Sequence, residues 1–186
     1  MNTFATVRDI FFSGSHAVTG GQDAANDIAF LIDEGYLAFD AVAITEKREY
    51  TQILGVLSRR PHAYDEAAGG GMEHMALKLV ASKYLLRSRD RKARFEQPFC
   101  GYFPDVLMDD KSLVVECGHT QNPDKMFDYF RFGNIEEFLQ IPYPEPDECD
   151  IRGYRFVAGA DLHEFLEFRD GERRSKIKEL LQKRRP

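Results

Sequence analysis

Apolar residues recur along this chain with two periods, and the switching between them lays out an α/β protein. In Gln22 to Glu34 the apolar positions Ala25, Ile28, Ala29 and Ile32 share one side of a helix that Gly35 stops. Residues 36–44 are mostly apolar with Asp40 in their middle, a strand of poor alternation. Thr45 is placed to cap a second helix from Glu46 to Ser58, where Tyr50, Ile53, Leu54 and Leu57 keep helical spacing. The Arg59-Arg60-Pro61 break and the Gly69-Gly70-Gly71 run then interrupt the pattern. Residues 1–68 are therefore expected to form an N-terminal α/β subdomain or extension, and residues 69–186 a core ending in a basic helix.

From Met72 to Leu86 the spacing predicts a long helix, with Met72, Met75, Ala76, Leu79 and Leu86 on its apolar side. Arg94 to Phe99, Tyr102 to Met108 and Ser112 to Cys117 read as three strands, the last two joined by a turn at Asp109-Asp110-Lys111. Pro123 opens a helix from Asp124 to Phe132 that buries Met126, Phe127 and Phe130. Ile135 to Tyr143 and Gly153 to Gly159 read as further strands, and Glu172 to Lys183 as a terminal helix. The order α-β-β-β-α-β predicts an α/β fold, a central mixed β-sheet flanked by helices, with the last strands parallel to the third.

Composition narrows the class. A chain of 186 residues can bury a sizeable core. No window approaches the ~20 apolar residues that a spanning helix needs, and Met1 to Phe12 lacks the layout of a secretory signal. A cytoplasmic location without a membrane partner is the expectation. Cys100, Cys117 and Cys149 are odd in number and widely spaced, which predicts reduced thiols. The net charge of −6 does not announce a nucleic-acid binder, so the placement of charge matters more than its sum. Arg87, Arg89, Arg91, Lys92 and Arg94 form one basic cluster and residues 173–185 another; each is a solvated surface or a phosphate-backbone contact.

Candidate chemistry lies between the clusters. Glu116 interrupts a run of Leu113-Val114-Val115 on a strand whose alternation sends Val114, Glu116 and Gly118 to one face and Leu113, Val115 and Cys117 to the other. A carboxylate there is costly unless paired or metal-bound. Asp105 follows Pro104 on the preceding strand, and Glu73 lies at the start of the long helix. Magnesium needs one or two carboxylates and keeps several waters, which suits Asp105 and Glu116. A zinc site of His74, His119 and Asp105 would use other chemistry, and Cys117 with His119 could form a thiol nucleophile and base; Cys117 also reads as a small buried apolar residue.

Helix Glu73, Pro104-Asp105 on one strand and Glu116 on the next resemble the PD-(D/E)XK nucleases, the superfamily of many restriction endonucleases, junction resolvases and repair nucleases. The resemblance covers approximately residues 70 to 143 and implies a restriction-endonuclease-like αβββαβ core. It implies Mg2+ or Mn2+ held by Asp105 and Glu116, with Glu73 as a further ligand or positioning the attacking water. DNA is the implied substrate, RNA an alternative, and a homodimer a common arrangement. The cluster from Arg87 to Arg94 and His119 would contact nucleic acid. The chain departs from the family at Gly118, where the pattern has a lysine that stabilises charge on the phosphate. Lys78, His119, Gln121 or Lys125 could replace it; Lys78 lies about 140° around the helix from Glu73, so the two do not share a face. Without a replacement, the fold would serve as a nucleic-acid- or protein-binding module, and an N-terminal unit with Phe11, Phe12 and Tyr36 could dock a partner.

Overall fold

The structure is a computed structural model that describes residues 7, 10, 11, 21–59, 71–90, 92–119, 122, 124–167 and 172, the side chains of 21–24 excepted. Along the chain run α1 (Gly21–Asp33), β1 (Leu37–Glu46), α2 (Lys47–Leu57), α3 (Gly71–Arg89), β2 (Ala93–Phe95), β3 (Val106–Met108), β4 (Leu113–Cys117), α4 (Asp124–Gly133), β5 (Glu137–Ile141), β6 (Asp150–Ala158) and α5 (Leu162–Leu166). The strands make one six-stranded mixed sheet in the order β1-β6-β5-β4-β3-β2. No helix among the described residues is long and apolar enough to cross a membrane.

β1, from the first third of the sequence, is the edge strand of this same sheet, and its ladder runs to β6 through residues such as Phe39 opposite Phe156. Arg155 grips the Asp40 carboxylate across that pair with N···O distances of 2.9 and 2.7 Å, and Asp40 is exposed on this edge strand, so a polar residue in the middle of β1 costs little.

β4 and β5 are parallel, as the order of elements predicts, but β6 is antiparallel to β5 and does not touch β4. The connection decides this. Only residues 142–149 join β5 to β6, fewer than the dozen or more that a parallel crossover requires. β2 and β3 are also shorter than the periodicity predicts. Pro98 and Pro104 have no N–H to give a ladder, Glu96 adopts a left-handed φ of 49°, and between the strands only Phe99 and Tyr102 pair. The short helix α5 carries no cue that the periodicity detected, and the expected helix from Glu172 to Lys183 lies outside the described residues but for residue 172.

Each sheet face carries its own core. On one face Leu107, Val114 and Phe138 pack with Phe127 and Phe130 of α4, Ile28 of α1 and Phe165 of α5. On the other, Val106, Val115, Cys117 and Leu139 pack with Leu77, Val80, Ala81 and Leu85 of α3 and with Tyr50 and Leu57 of α2. The buried stripe of α3 keeps part of the expected one, with Ala76 buried and Met75 and Leu79 packed against the core, and departs from it at both ends. Leu77, Lys78, Ala81 and Leu85 face the sheet, whereas Leu86 is 53% and Met72 38% exposed. Apolar residues occur nearly all round this helix, so the sheet beneath it, and not periodicity, selects the face. Glu49 of α2 binds Thr45, Lys83 and Arg87, which hold its carboxyl down at about 2 and tie α2 to α3.

Candidate functional site

The rotation of α3 brings its polar residues to the sheet. His74 and Lys78 are one turn apart on the same side of the helix. His74 Nε2 lies 2.8 Å and Lys78 Nζ 3.3 Å from Oδ1 of Asp105. Lys78 is only 1% exposed, and its ammonium also binds the Glu96 carboxylate. Burial pushes the Lys78 pKa down, but Glu96 and Asp105 outweigh burial and leave it above its ordinary value. The lysine is therefore charged inside the fold.

Asp105 occupies a break in the sheet. The register of β3 and β4 pairs Val106 with Val115, and one further step sets Asp105 opposite Glu116. There the backbone ladder stops, and Oδ2 of Asp105 accepts the Cys117 N–H at 2.7 Å. The side chain thus substitutes for a strand carbonyl. Burial raises the Asp105 pKa, while the hydrogen bonds from His74 and Cys117 and the charge of Lys78 lower it further, so the group is held below its ordinary value.

Glu116 points toward α4, as the strand alternation predicts. Tyr129 O–H donates to its Oε1 at 2.8 Å, and Lys125 Nζ stands 3.8 Å from Oε2. Burial and the nearby negative charge of Asp105 raise its carboxyl to about 7, against the pull of Lys125, Tyr129 and His74. The two carboxylates are thus close enough to repel, although α3 holds one and α4 the other. Beside Glu116 in the parallel register stands Gln140, fully buried, whose amide donates to the Gly118 carbonyl at 2.6 Å.

Gly118 marks where the strand turns away. Its φ is +76°, and a Cβ there would come within 2.7 Å of the Tyr143 ring. Tyr143 fills the space into which a strand lysine would project, with its hydroxyl 3.4 Å from His74 Nδ1. Burial, Asp105 and Glu73 raise the Tyr143 pKa, so the hydroxyl stays protonated. Gly118→Ala is expected to destabilise the fold by about 2–3 kcal/mol, from the left-handed backbone and the ring displacement together. Adding Tyr143→Leu should recover only the steric share. Urea denaturation of the single and double variants checks this, and a wild-type midpoint for Gly118→Ala would contradict the geometry.

The other sequence candidates are placed differently. Glu73 does not converge with Asp105 and Glu116; it is exposed on the first turn of α3, where its charge reaches Tyr50 and Tyr143. Among the described residues no three His, Cys, Asp or Glu side chains gather as a metal site, so neither the expected three-acid centre nor a His74, His119 and Asp105 zinc site is formed. His119 is exposed, with its ring edge-on to Tyr143 at 5.3 Å. Cys117 is a buried core residue whose thiol pKa burial pushes up, which opposes a nucleophilic role. Gln121 and Arg91 lie outside the described residues, as does the basic tail from Arg173.

The basic cluster sits at the far end of α3, where Arg89 is roughly 16 Å along the axis from Lys78 at ~1.5 Å per residue. Arg87 is paired with Glu49 and Arg89 with Glu137, Arg94 is 2.7 Å from Asp109, and Lys92 is exposed. Sequence reasoning missed Tyr143, Tyr129, Glu96 and Gln140. Only Gln140 carried a readable signal, because it interrupts the apolar Phe138-Leu139-Gln140-Ile141 as Glu116 interrupts its own strand.

Magnesium-like cations need few protein ligands; here Asp105 is held from the α3 face of the sheet and Glu116 from the α4 face, and both Asp105 oxygens already accept protein donors. Compared with known proteins, the chain matches no family model, no curated protein and no solved structure.

Proposed function

We propose that the protein is a metal-dependent nuclease that hydrolyses phosphodiester bonds, with DNA as its substrate and Mg2+ or Mn2+ as its cofactor. The observation that carries this reading is Lys78. A charged lysine, almost wholly buried, stands 3.3 Å from Asp105, in a chain whose strand has Gly118 where the family pattern has its lysine. The order of α3, β2, β3, β4, α4 and β5, with β4 and β5 parallel, also supports the resemblance to PD-(D/E)XK nucleases.

Asp105 and Glu116 would hold the cation. When bound, the cation would polarise the phosphate and acidify a water. His74, backed by Tyr143, fixes the rotamer of Asp105, and Tyr129 fixes that of Glu116. Lys78 would stabilise the charge that develops on the phosphate oxygens, its ammonium already oriented by Glu96 and Asp105.

Cleavage of plasmid, single-stranded and branched DNA in Mg2+ or Mn2+ tests the proposal. Asp105→Asn is expected to lower the rate at least about a hundredfold. Absence of cleavage on every substrate, or cleavage that persists in Asp105→Asn, refutes it. One observation favours a second reading, a non-catalytic binding module: both Asp105 oxygens already accept protein donors. Under that reading calorimetric titration with Mg2+ shows no heat that depends on Asp105 and Glu116; under the nuclease reading it does.

A further inference from the structure

Between Glu96 and Asp105 the chain makes a small aromatic structure that the proposed chemistry leaves unused. Phe99 and Tyr102 exchange backbone hydrogen bonds of 2.8 and 3.0 Å around Cys100 and Gly101, whose φ values are 52° and 81°. Two successive positive φ angles make the tight primed turn that matches strand twist. The hairpin is fastened at several points. The Phe99 ring stacks on Tyr129 at 5.9 Å, the Tyr102 ring meets Tyr129 edge-on at 5.7 Å, and Tyr102 O–H donates to Asp128 at 2.7 Å. Tyr129 is also the residue that holds Glu116.

Phe103 follows this anchored hairpin and precedes the buried Pro104 and Asp105. Its side chain is 65% exposed. Isolated exposed apolar residues are ordinary, but this one is a ring on a fixed mount, two residues from the acidic pair. The neighbouring Tyr102 ring carries a cation, Lys125, whose Nζ lies 5.6 Å from the ring centre and 3.8 Å from Glu116 Oε2.

We propose that Phe103 is a stacking platform for an unpaired nucleobase next to the phosphate at the acidic pair, so that the site takes single-stranded nucleic acid in preference to intact duplex. The inference rests on the nuclease reading and specifies its substrate. A base offers its face to an aromatic ring only when it is out of its own stack, and such stacking holds a base without reading sequence.

The chain contains no tryptophan, so Phe103→Trp introduces a lone reporter at an exposed position where the fold is not at stake. In EDTA, which separates binding from cleavage, a mixed-sequence single strand is expected to quench its emission and a blunt duplex is not. Quenching by a deoxyribo- or a ribo-oligonucleotide supports the proposal and tells the two sources apart. Phe103→Ala and Phe103→Leu should each weaken single-strand binding by about tenfold, measured by anisotropy of a labelled oligonucleotide, because leucine keeps the apolar contact and lacks the ring. Wild-type affinity in Phe103→Ala, a bound single strand that leaves the tryptophan unquenched, or equal quenching by duplex overturns the platform alone. Failure of the wild-type protein to bind any nucleic acid overturns both the platform and the nuclease reading.

Discussion

Replacing Lys78 by methionine is expected to destabilise the protein by about 3–5 kcal/mol, the usual consequence of removing one partner from a buried ion pair. Methionine matches the stem of lysine in length and fills the same space against the sheet, so the loss reports charge and not a cavity. What remains is the Asp105 carboxylate with His74 and the Cys117 N–H, and the Glu96 carboxylate without its ammonium. Glu96 is partly exposed and can turn to water; Asp105, with its side chain 12% exposed, cannot. The double variant Lys78→Met with Asp105→Asn is expected to recover part of the loss, since two mutually dependent charges leave together. Urea denaturation of both single variants and the double closes the cycle. Additivity within error would show that Lys78 and Asp105 do not interact, and the account of the site would fall with it.

The second large effect is a pH dependence. Glu116 titrates at about 7 in the folded protein against its ordinary 4.5, because it is buried and faces Asp105. Between those two values the native state keeps a proton that the unfolded chain has released, so stability falls as the pH rises through this window. Each unit is worth about 1.4 kcal/mol, which makes the whole loss about 3 kcal/mol above pH 7. Glu116→Gln keeps an acceptor for the Tyr129 hydroxyl and removes the ionisation. Its stability is expected to match that of the wild type below pH 4.5, to exceed it above pH 7, and to be flatter in between. Under the nuclease reading, Mg2+ at pH 7 raises the melting temperature of the wild type and leaves Glu116→Gln unmoved, since a ligand that binds only the native state stabilises it. Parallel pH profiles for the two proteins would show that Glu116 ionises as freely in the fold as outside it.

The same residues show how far the sequence could be read. Carboxylates are dear inside an apolar strand, so Glu116 stood out from its neighbours, and the alternation of β4 gave its face correctly: Tyr129 of α4 meets it there. The spacing of Tyr50, Ile53, Leu54 and Leu57 located α2 within a residue or so because that helix has one apolar side and one wet one. Failure came where the local pattern is uniform or where the partner is remote. In α3 apolar residues surround the helix, so a stripe starting at Met72 looks as good as the true one, and the angle between Lys78 and Glu73 weakens Lys78 as a candidate without excluding it. That angle was sound, since Glu73 is exposed and Lys78 buried. What the angle could not give was which of the two the sheet would cover.

By itself, then, the order of residues determined the kinds of elements, most of their limits, the mixed α/β class and the singling out of Asp105 and Glu116, because periodicity and the cost of a buried charge are local properties of the chain. Only the tertiary structure decided the rotation of α3, the antiparallel return of β6 along β5, the gap in the ladder where Asp105 replaces a carbonyl, and the tyrosine that occupies the place beside Gly118. Each of these depends on contacts between segments far apart in sequence, and burial is a property that no segment has until another covers it.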